Sequence, residues 1–199
     1  MANRPTSGDA GIVIPLRSFE HAKMRLASVL TDDARITFAR AMADRVVEAA
    51  GARPIVVVSD APDVRAWADE RALAIVADAG SLDGAADAGR VWVRDRALDR
   101  VVVVHADLPL ASSLDPVTGD GPAPIAVVVP DHRNDGTPVL SLPAAAPFRF
   151  AYGPGSARRH AEEAQRCGLE VRLVVDHELG FDVDVEADLH TLDARRTRR

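Results

Sequence analysis

Short apolar runs alternate along the chain with longer segments in which apolar residues recur every three or four positions. The clearest run is residues 101–104, four consecutive valines bounded by polar residues. A half-buried strand alternates apolar and polar residues, so this uninterrupted run predicts a strand buried on both faces, as in a parallel sheet. Asp107 stands just beyond it, at the end of the strand where open α/β sheets bind their ligands. The alternative is an aspartate that only turns the chain before Pro109.

The same pattern predicts a repeated strand-helix-strand order. Strands are predicted at residues 11–16, 55–58, 73–77, 101–104, 125–129, 139–142, 169–175 and 181–185. Helices are predicted from an N-cap at Thr31 to Gly51, from residue 61 to about residue 73, from the end of the 78–84 loop through Trp92, and at residues 157–166. Residues 115–124 are predicted as a surface loop. The fold class is therefore α/β, a mostly parallel, mixed sheet flanked by helices on both faces.

Composition narrows the class of protein. The 199 residues are 47% hydrophobic and 27% charged, which suits one domain over residues 1–199, with residues 1–10 and 193–199 as frayed tails. The net charge of -6 disfavours nucleic acid as a partner. Apolar runs of strand length and a polar N-terminus predict no membrane span and no signal peptide, hence a cytoplasmic protein. The single Cys167 excludes an internal disulfide and suits a packing role.

Charged residues in the loops after the predicted strands suggest a phosphate and metal chemistry. Lys23 is the only lysine among the 24 basic residues, and Arg25 lies beside it in the loop after the first strand. An ammonium is a compact point charge suited to phosphate. The presence of one lysine by chance is an equally good explanation. Asp182 and Asp184 lie on one face of an extended segment, where the residues alone favour a solvent-facing edge strand. With Asp107, they would offer Mg²⁺ the carboxylates that it binds beside substrate phosphates.

Two further segments are candidate anion sites. Residues 153–156 place Gly153, Gly155 and Ser156 at the start of a predicted helix, whose unpaired amides and Ser156 hydroxyl can face an anion. An ordinary entry into the helix is the alternative. Residues 135–137 form an Asp-Gly-Thr turn in which the hydroxyl of Thr137 is a further candidate. No Ser/His/Asp or Cys/His arrangement typical of a nucleophile accompanies them.

The order and spacing of these motifs resemble a known family along nearly the whole chain. The anchors are at residues 14–16, 22–27, 106–109, 130–137, 150–160 and 179–189. The chain resembles the 2-phospholactate/phosphoenolpyruvate guanylyltransferases of coenzyme F-420 biosynthesis, and no single motif carries the resemblance alone.

The resemblance implies a fold similar to the GT-A type nucleotidyltransferases and an enzyme that condenses GTP with a phosphorylated three-carbon acid, releasing pyrophosphate. By position, the implied roles fall into three sets. The metal ligands for Mg²⁺ would be Asp107, Asp182 and Asp184; the nucleotide would be bound by Arg17, Lys23, Arg25 and Asp83, with Lys23 and Arg25 catalytic; the acid would be bound by Thr137, Gly153 and Ser156. Phosphoryl-type transfer depends on such positioning and charge neutralisation. A homodimer stays open.

Three positions depart from the family pattern. Arg17 stands where lysine is usual, Asp83 where asparagine is usual, and Pro138 where asparagine follows the Asp-Gly-Thr turn. Pro138 lacks an amide and a backbone donor, so the identity of the acid stays open between phosphoenolpyruvate, which we expect, and 2-phospholactate. A glycosyltransferase, a cytidylyltransferase and a non-catalytic nucleotide-binding module remain alternatives.

Overall fold

The computed structural model describes residues 10–78 and 80–196. The strands are β1 (Ala10–Pro15), β2 (Ile55–Val58), β3 (Ala74–Val76), β4 (Arg100–Val104), β5 (Ile125–Val129), β6 (Val139–Pro143) and β7 (Glu170–Leu173). The helices are α1 (Asp32–Ala50), α2 (Pro62–Asp69), α3 (Leu82–Asp95), α4 (Asp115–Thr118), α5 (Ser156–Arg166) and α6 (Glu186–Arg196), and a 3-10 turn spans Met24–Leu26.

The strands form a seven-stranded sheet in the order β3-β2-β1-β4-β6-β5-β7. Strand β6 runs antiparallel to both of its neighbours, and the other paired strands are parallel. Residues 130–138 connect β5 to β6 directly, and a connection this short joins antiparallel strands, since parallel ones need a longer crossover. The predicted mixed α/β sheet is confirmed.

The register gathers the candidate loops at one edge of the sheet. Val13 of β1 pairs with Val103 of β4, so these two strands end side by side. Because β6 is antiparallel, its first residue Val139 pairs with Val104, the last residue of β4. The loop before β6 therefore lies at the same edge as the loops that follow β1 and β4.

Two layers of helices cover the sheet. Val102 and Val104 pack with residues of α1, α2 and α6, whereas Val101 and Val103 pack with residues of α3 and α5. All four valines are fully buried, which confirms a strand buried on both faces. Helix α3 packs closely on β1 because residue 89 is glycine: a Cβ there would come within 2.1 Å of Val13. Thr31 caps α1 as predicted, accepting a hydrogen bond from the amide of Ala34 at 3.3 Å.

The chain after residue 180 differs from the prediction. Residues 181–185 form no strand, because the amides of Asp184 and Val185 donate to the carboxylate of Asp188 instead of to a neighbouring strand. Their alternation has another origin, since Phe181 and Val183 are buried in the core. Helix α6 follows and extends to Arg196.

Other boundaries shift by a few residues. Helix α2 ends at Asp69 instead of near residue 73, and α3 extends to Asp95 instead of Trp92. Strand β7 covers only the middle of the predicted 169–175 run. The predicted 115–124 loop contains the short helix α4, held by the buried Val117. The expectations for residues 1–9 and 197–199 lie outside the described residues. In the described ranges, no helix has the length and hydrophobicity needed to cross a membrane.

Candidate active site

Three carboxylates converge at the carboxyl edge of the sheet. Asp107 follows β4, and Asp182 and Asp184 lie in the irregular segment before α6. One oxygen from each carboxylate lies within 4.8 Å of the others. The alternation that mimicked a strand thus turns both later aspartates away from the core and toward Asp107.

Lys23 neutralises part of this charge. Its Nζ donates to Asp107 Oδ2 at 2.6 Å and to Asp184 Oδ1 at 2.9 Å, with only 8% of the side chain exposed. Burial alone would lower the pKa of the ammonium, but the two carboxylates hold it above its ordinary value. For Asp107, burial alone would raise the pKa of the carboxyl, and Lys23 brings it below its usual range. Lys23 itself adopts a left-handed backbone conformation, φ 53°, at the start of the 3-10 turn.

The carboxylates retain free lone pairs that suit a hard cation. Asp107 Oδ1 and Asp182 Oδ1 are buried and accept no hydrogen bond from the described residues. His132 Nδ1 approaches Asp182 Oδ1 to 3.1 Å without the geometry of a hydrogen bond. Mg²⁺ takes oxygen ligands at about 2.0–2.1 Å, so oxygens on opposite sides of the ion lie about 4 Å apart. A modest closing of the three carboxylates around the ion therefore suffices, and the donor set fits Mg²⁺.

Asp188 holds the segment that carries two of these carboxylates. It is 5% exposed, and its Oδ2 accepts from the amides of Asp184 and Val185 at 2.8 and 3.0 Å. Arg133 Nη2 donates to both carboxylate oxygens, to Oδ1 at 2.8 Å and to Oδ2 at 2.7 Å. Burial raises the pKa of Asp182, and the charges of Asp107 and Asp184 raise it further. Asp188 thus fixes the segment, and Arg133 Nη1 lies 3.6 Å from Asp182 Oδ1.

A cavity of about 770 Å³ opens beside the carboxylates. Its walls come from the loop after β1, the start of α3 and the end of β4, and include Lys23, Asp107 and Asp184. Arg17 and Arg25 also line it and are exposed, with Arg17 Nη2 donating to the carbonyl of Gly80 at 3.3 Å. The predicted cations Arg17, Lys23 and Arg25 therefore share one cavity with Asp107 and Asp184, whereas Asp182 lies beside these two carboxylates and does not line the cavity. The cavity is large enough for a nucleotide-sized ligand.

Two of the three predicted acid-binding residues, Thr137 and Ser156, form a second, buried cluster with His160, whereas Gly153 is exposed. Thr137 Oγ1 lies 3.1 Å from Ser156 Oγ and 3.1 Å from His160 Nδ1, and the three side chains are at most 1% exposed. The amide of Ala151 donates to His160 Nε2 at 3.0 Å. Burial lowers the pKa of His160 to about 4, so the ring is neutral at pH 7 and carries its proton on Nδ1, facing Thr137.

Asp135 occupies the start of α5, where an anion was predicted. Its carboxylate accepts from the amide of Gly155 at 2.9 Å, and its carbonyl accepts from the amide of Ala157 at 3.1 Å. Gly153 and Gly155 have φ of 101° and 73°, which favour glycine. The guanidinium of Arg159 holds the same loop through the carbonyls of residues 151, 152 and 154.

Asp83 supports this loop from α3. Its Oδ1 accepts from the amide of Tyr152 at 2.7 Å, and Asp83 is absent from the cavity wall, although its neighbours Ser81 and Leu82 line it. The residues that sequence reasoning missed are His105, Tyr152, His132, Arg133 and the supporting role of Asp188. His105 and Asp188 lie within four residues of the predicted metal ligands Asp107 and Asp184, and that spacing is a signal that could have found them. His132, Arg133 and Tyr152 are distant along the chain from these ligands, and only the fold brings them near.

The fold and the site define a protein of the nucleotidyltransferase class. A nucleotidyl transferase from Methanothermobacter thermautotrophicus has a similar structure, with a TM-score of 0.63 over 96% of this chain and 98% of that one, at 14% sequence identity. At that identity the likeness concerns the fold alone.

The sequence itself narrows the class to a family. The model of the family "Guanylyl transferase CofC like" matches residues 10–193, and the chain belongs to that family. It is 34% identical to the phosphoenolpyruvate guanylyltransferase of Rubrobacter xylanophilus, over 92% of each chain. It is also 32% identical to the 2-phospho-L-lactate guanylyltransferase of Halorubrum lacusprofundi, over 91% of this chain and 82% of that one.

Proposed function

We propose that the protein transfers GMP from GTP to phosphoenolpyruvate. A phosphate oxygen of the acid forms a bond to the α-phosphorus of GTP, the bond from that phosphorus to the bridging oxygen breaks, and pyrophosphate leaves. The product is enolpyruvyl-diphosphoguanosine, a precursor of coenzyme F-420 in the family that the sequence resembles. The observation that carries the proposal is the convergence of Lys23, Asp107 and Asp184 at the wall of a nucleotide-sized cavity. Asp182 lies beside the other two carboxylates.

In this proposal, the charges of the cavity neutralise the reacting phosphates. Asp107, Asp182 and Asp184 hold Mg²⁺, which would neutralise negative charge on the triphosphate and on the phosphate that attacks it. Arg17 and Arg25 line the same cavity and bind the outer phosphates, where charge develops on the leaving pyrophosphate. Lys23 lies between carboxylates and cavity, so it can exchange its carboxylate contacts for a phosphate. The three cations and three acids therefore have complementary tasks.

The acid lies next to the second cluster. His160 donates from Nδ1 to Thr137, the Thr137 hydroxyl donates to Ser156, and the Ser156 hydroxyl proton remains for an oxygen of the acid. Gly153, at the turn before α5, lets the backbone approach the ligand closely. This chain of bonds fixes the direction of the last donor before the substrate arrives, which is the condition for electrostatic preorganisation.

Pyrophosphate release tests the proposal. The purified protein is incubated with magnesium and each of GTP, CTP, ATP and UTP, with phosphoenolpyruvate as acceptor, and the product is identified by its mass. We expect turnover with GTP. Turnover with CTP alone would instead indicate a cytidylyltransferase, and GTP binding without turnover would indicate a binding module; either result would contradict the proposal.

We further propose a preference for phosphoenolpyruvate over 2-phospholactate. Pro138 stands directly after Thr137, and its carbonyl accepts from the amide of His105 at 2.9 Å, which holds a rigid wall beside the cluster. Phosphoenolpyruvate is planar at its second carbon, whereas 2-phospholactate is tetrahedral there. Shape selection of this kind gives roughly 10- to 200-fold discrimination. The kcat/KM values for both acids and for 3-phosphoglycerate measure it, and a higher value for 2-phospholactate would refute the planar-slot argument.

A further inference from the structure

His105 joins the two halves of the site. It lines the cavity two residues before Asp107, and its backbone amide bonds to Pro138, next to Thr137. Its ring atom Nε2 is buried and has no hydrogen-bond partner among the described residues. A polar atom in that state costs about 1–3 kcal/mol, so a purely structural histidine would be unfavourable here.

Tyr152 presents a second buried polar atom without a partner. Its Oη is buried and forms no hydrogen bond with the described residues, while its ring packs edge-on against His160 at 4.7 Å and stacks on Phe150 at 6.1 Å. The Asp83 carboxylate anchors its backbone amide. Packing therefore fixes the ring, and phenylalanine would satisfy the packing equally well. The hydroxyl needs another explanation.

The two side chains are neighbours. The ring centroids of His105 and Tyr152 lie 5.6 Å apart at an interplanar angle of 41°. Burial also raises the pKa of the tyrosine, which therefore remains a neutral donor at any pH at which the protein works. His105 lies two residues before Asp107, and the Tyr152 ring contacts His160 of the Thr137 cluster. The pair thus carries two buried hydrogen-bonding groups that have no partner among the described residues.

We propose that His105 and Tyr152 bind the carboxylate of the acid substrate and so select phosphorylated acids over simple phosphate esters. The inference rests on the proposed function, which places the reacting phosphate at Asp107. Two extended residues span at most about 7 Å, so a group bound at His105 lies within reach of a small molecule whose phosphate is at Asp107. The carboxylate is the other anionic end of such a molecule, and it accepts one hydrogen bond from the Tyr152 hydroxyl and one from Nε2–H of His105.

Binding of two small ligands tests the inference without turnover. 2-Phosphoglycolate carries both a phosphate and a carboxylate, whereas ethyl phosphate carries only the phosphate. Their dissociation constants are measured by calorimetry with magnesium and a GTP analogue that has a methylene between the α- and β-phosphorus. Tyr152→Phe and His105→Leu should each weaken binding of 2-phosphoglycolate roughly 10- to 100-fold, as expected for a lost hydrogen bond to a charged group. Binding of ethyl phosphate should change little.

Melting temperatures separate recognition from a structural role. Because the Tyr152 hydroxyl has no hydrogen-bond partner within residues 10–78 and 80–196, Tyr152→Phe should melt at the same temperature as the wild type or higher. His190→Gln serves as the control histidine change, since this side chain is 78% exposed on α6. It should leave both dissociation constants unchanged.

Three results would overturn the inference. They are wild-type protein that does not bind 2-phosphoglycolate, equal weakening of both ligands in Tyr152→Phe, and unchanged binding of 2-phosphoglycolate in both variants. A wild type that discriminates the ligands through His105 and Tyr152 but transfers no GMP would refute the proposed function and leave the carboxylate site standing. The reverse result is a wild type that transfers GMP normally and two variants that bind 2-phosphoglycolate as tightly as the wild type. It would refute the carboxylate site alone.

Discussion

Replacing Lys23 should have opposite effects on metal-free stability and on metal affinity. In the structure its ammonium bridges Asp107 and Asp184, which are two of the three carboxylates that fit Mg²⁺. Lys23→Met removes the charge and keeps an unbranched side chain. Without the ammonium, the carboxylates repel one another in the metal-free protein. A metal ion can then bind them without displacing a bound ammonium. We therefore expect a less stable metal-free protein that binds Mn²⁺ or Mg²⁺ more tightly than the wild type.

The geometry sets the size of both effects. Breaking a buried ion pair costs about 3–5 kcal/mol. The side chains of Asp107 and Asp184 are 27% and 39% exposed, which favours the lower end, about 3 kcal/mol. For a chain of this length that loss lowers the melting temperature by about 6–12 °C. Since a metal must displace the same ammonium in the wild type, the dissociation constant for Mn²⁺ should fall by at least about 10-fold and at most about 100-fold in the variant.

Calorimetry and melting curves measure the two effects on the same samples. Mn²⁺ is titrated without nucleotide, and melting is followed with EDTA and with excess Mn²⁺. Arg25→Met is the matched control, because Arg25 also lines the cavity but is exposed and forms no ion pair with any described residue. If Lys23→Met binds Mn²⁺ no more tightly than Arg25→Met, Lys23 does not compete with the metal and the reasoning fails.

Three further predictions concern other parts of the site. Asp107→Ala should remain folded and lose about 100-fold or more in kcat, measured by pyrophosphate release, since it removes a preorganised electrostatic contact; near-normal turnover would exclude Asp107 as a metal ligand. Lys23→Arg should also be impaired, because a planar guanidinium cannot replace a point charge at a fitted position, and full kcat/KM for GTP would show that the lysine is incidental. His160 has a pKa lowered to about 4 in the folded protein, so the unfolded chain binds the extra proton between about pH 6.5 and 4. The free energy of unfolding should therefore fall by at most about 3 kcal/mol as the pH falls through this window, and urea titrations of His160→Gln should show a shallower pH dependence.

Hydrophobic patterning predicted most of the fold because each buried strand has its own local signature. The valines of β4 and the capped stripe of α1 are determined by burial and by hydrogen bonds within a few residues. Residues 181–185 show where this reasoning fails. Their alternation is real, but it reflects two residues packed in the core and two carboxylates beside Asp107. Asp188 accepts the amide hydrogen bonds that a neighbouring strand would otherwise accept. Periodicity reports which faces are buried and cannot report the hydrogen-bond partner.

In the candidate site, too, some residues were predictable from the sequence and others were not. Loop positions and resemblance predict Lys23, Asp107, Asp182 and Asp184. The structure brings Lys23 and Asp107 together because the parallel strands β1 and β4 end at the same edge. Asp182 and Asp184 join them from an irregular segment in which Phe181 and Val183 pack into the core. The links among Asp83, Tyr152 and His105 could not be found along the chain. They join α3, the loop before α5 and the end of β4, and each is a contact between residues at least 47 positions apart.

The reversed direction of β6 is the step that brings the two halves of the site together. Had β6 run parallel to β4, Thr137 would lie at the opposite edge of the sheet, a strand's length away from Asp107. Its antiparallel pairing, Val104 with Val139, instead places Thr137 and Pro138 beside the end of β4, where the carbonyl of Pro138 accepts the amide of His105. The short turn between β5 and β6 imposes that direction. The position of Thr137 at the carboxyl end of β4, the edge that also carries Asp107, is thus a consequence of connection length.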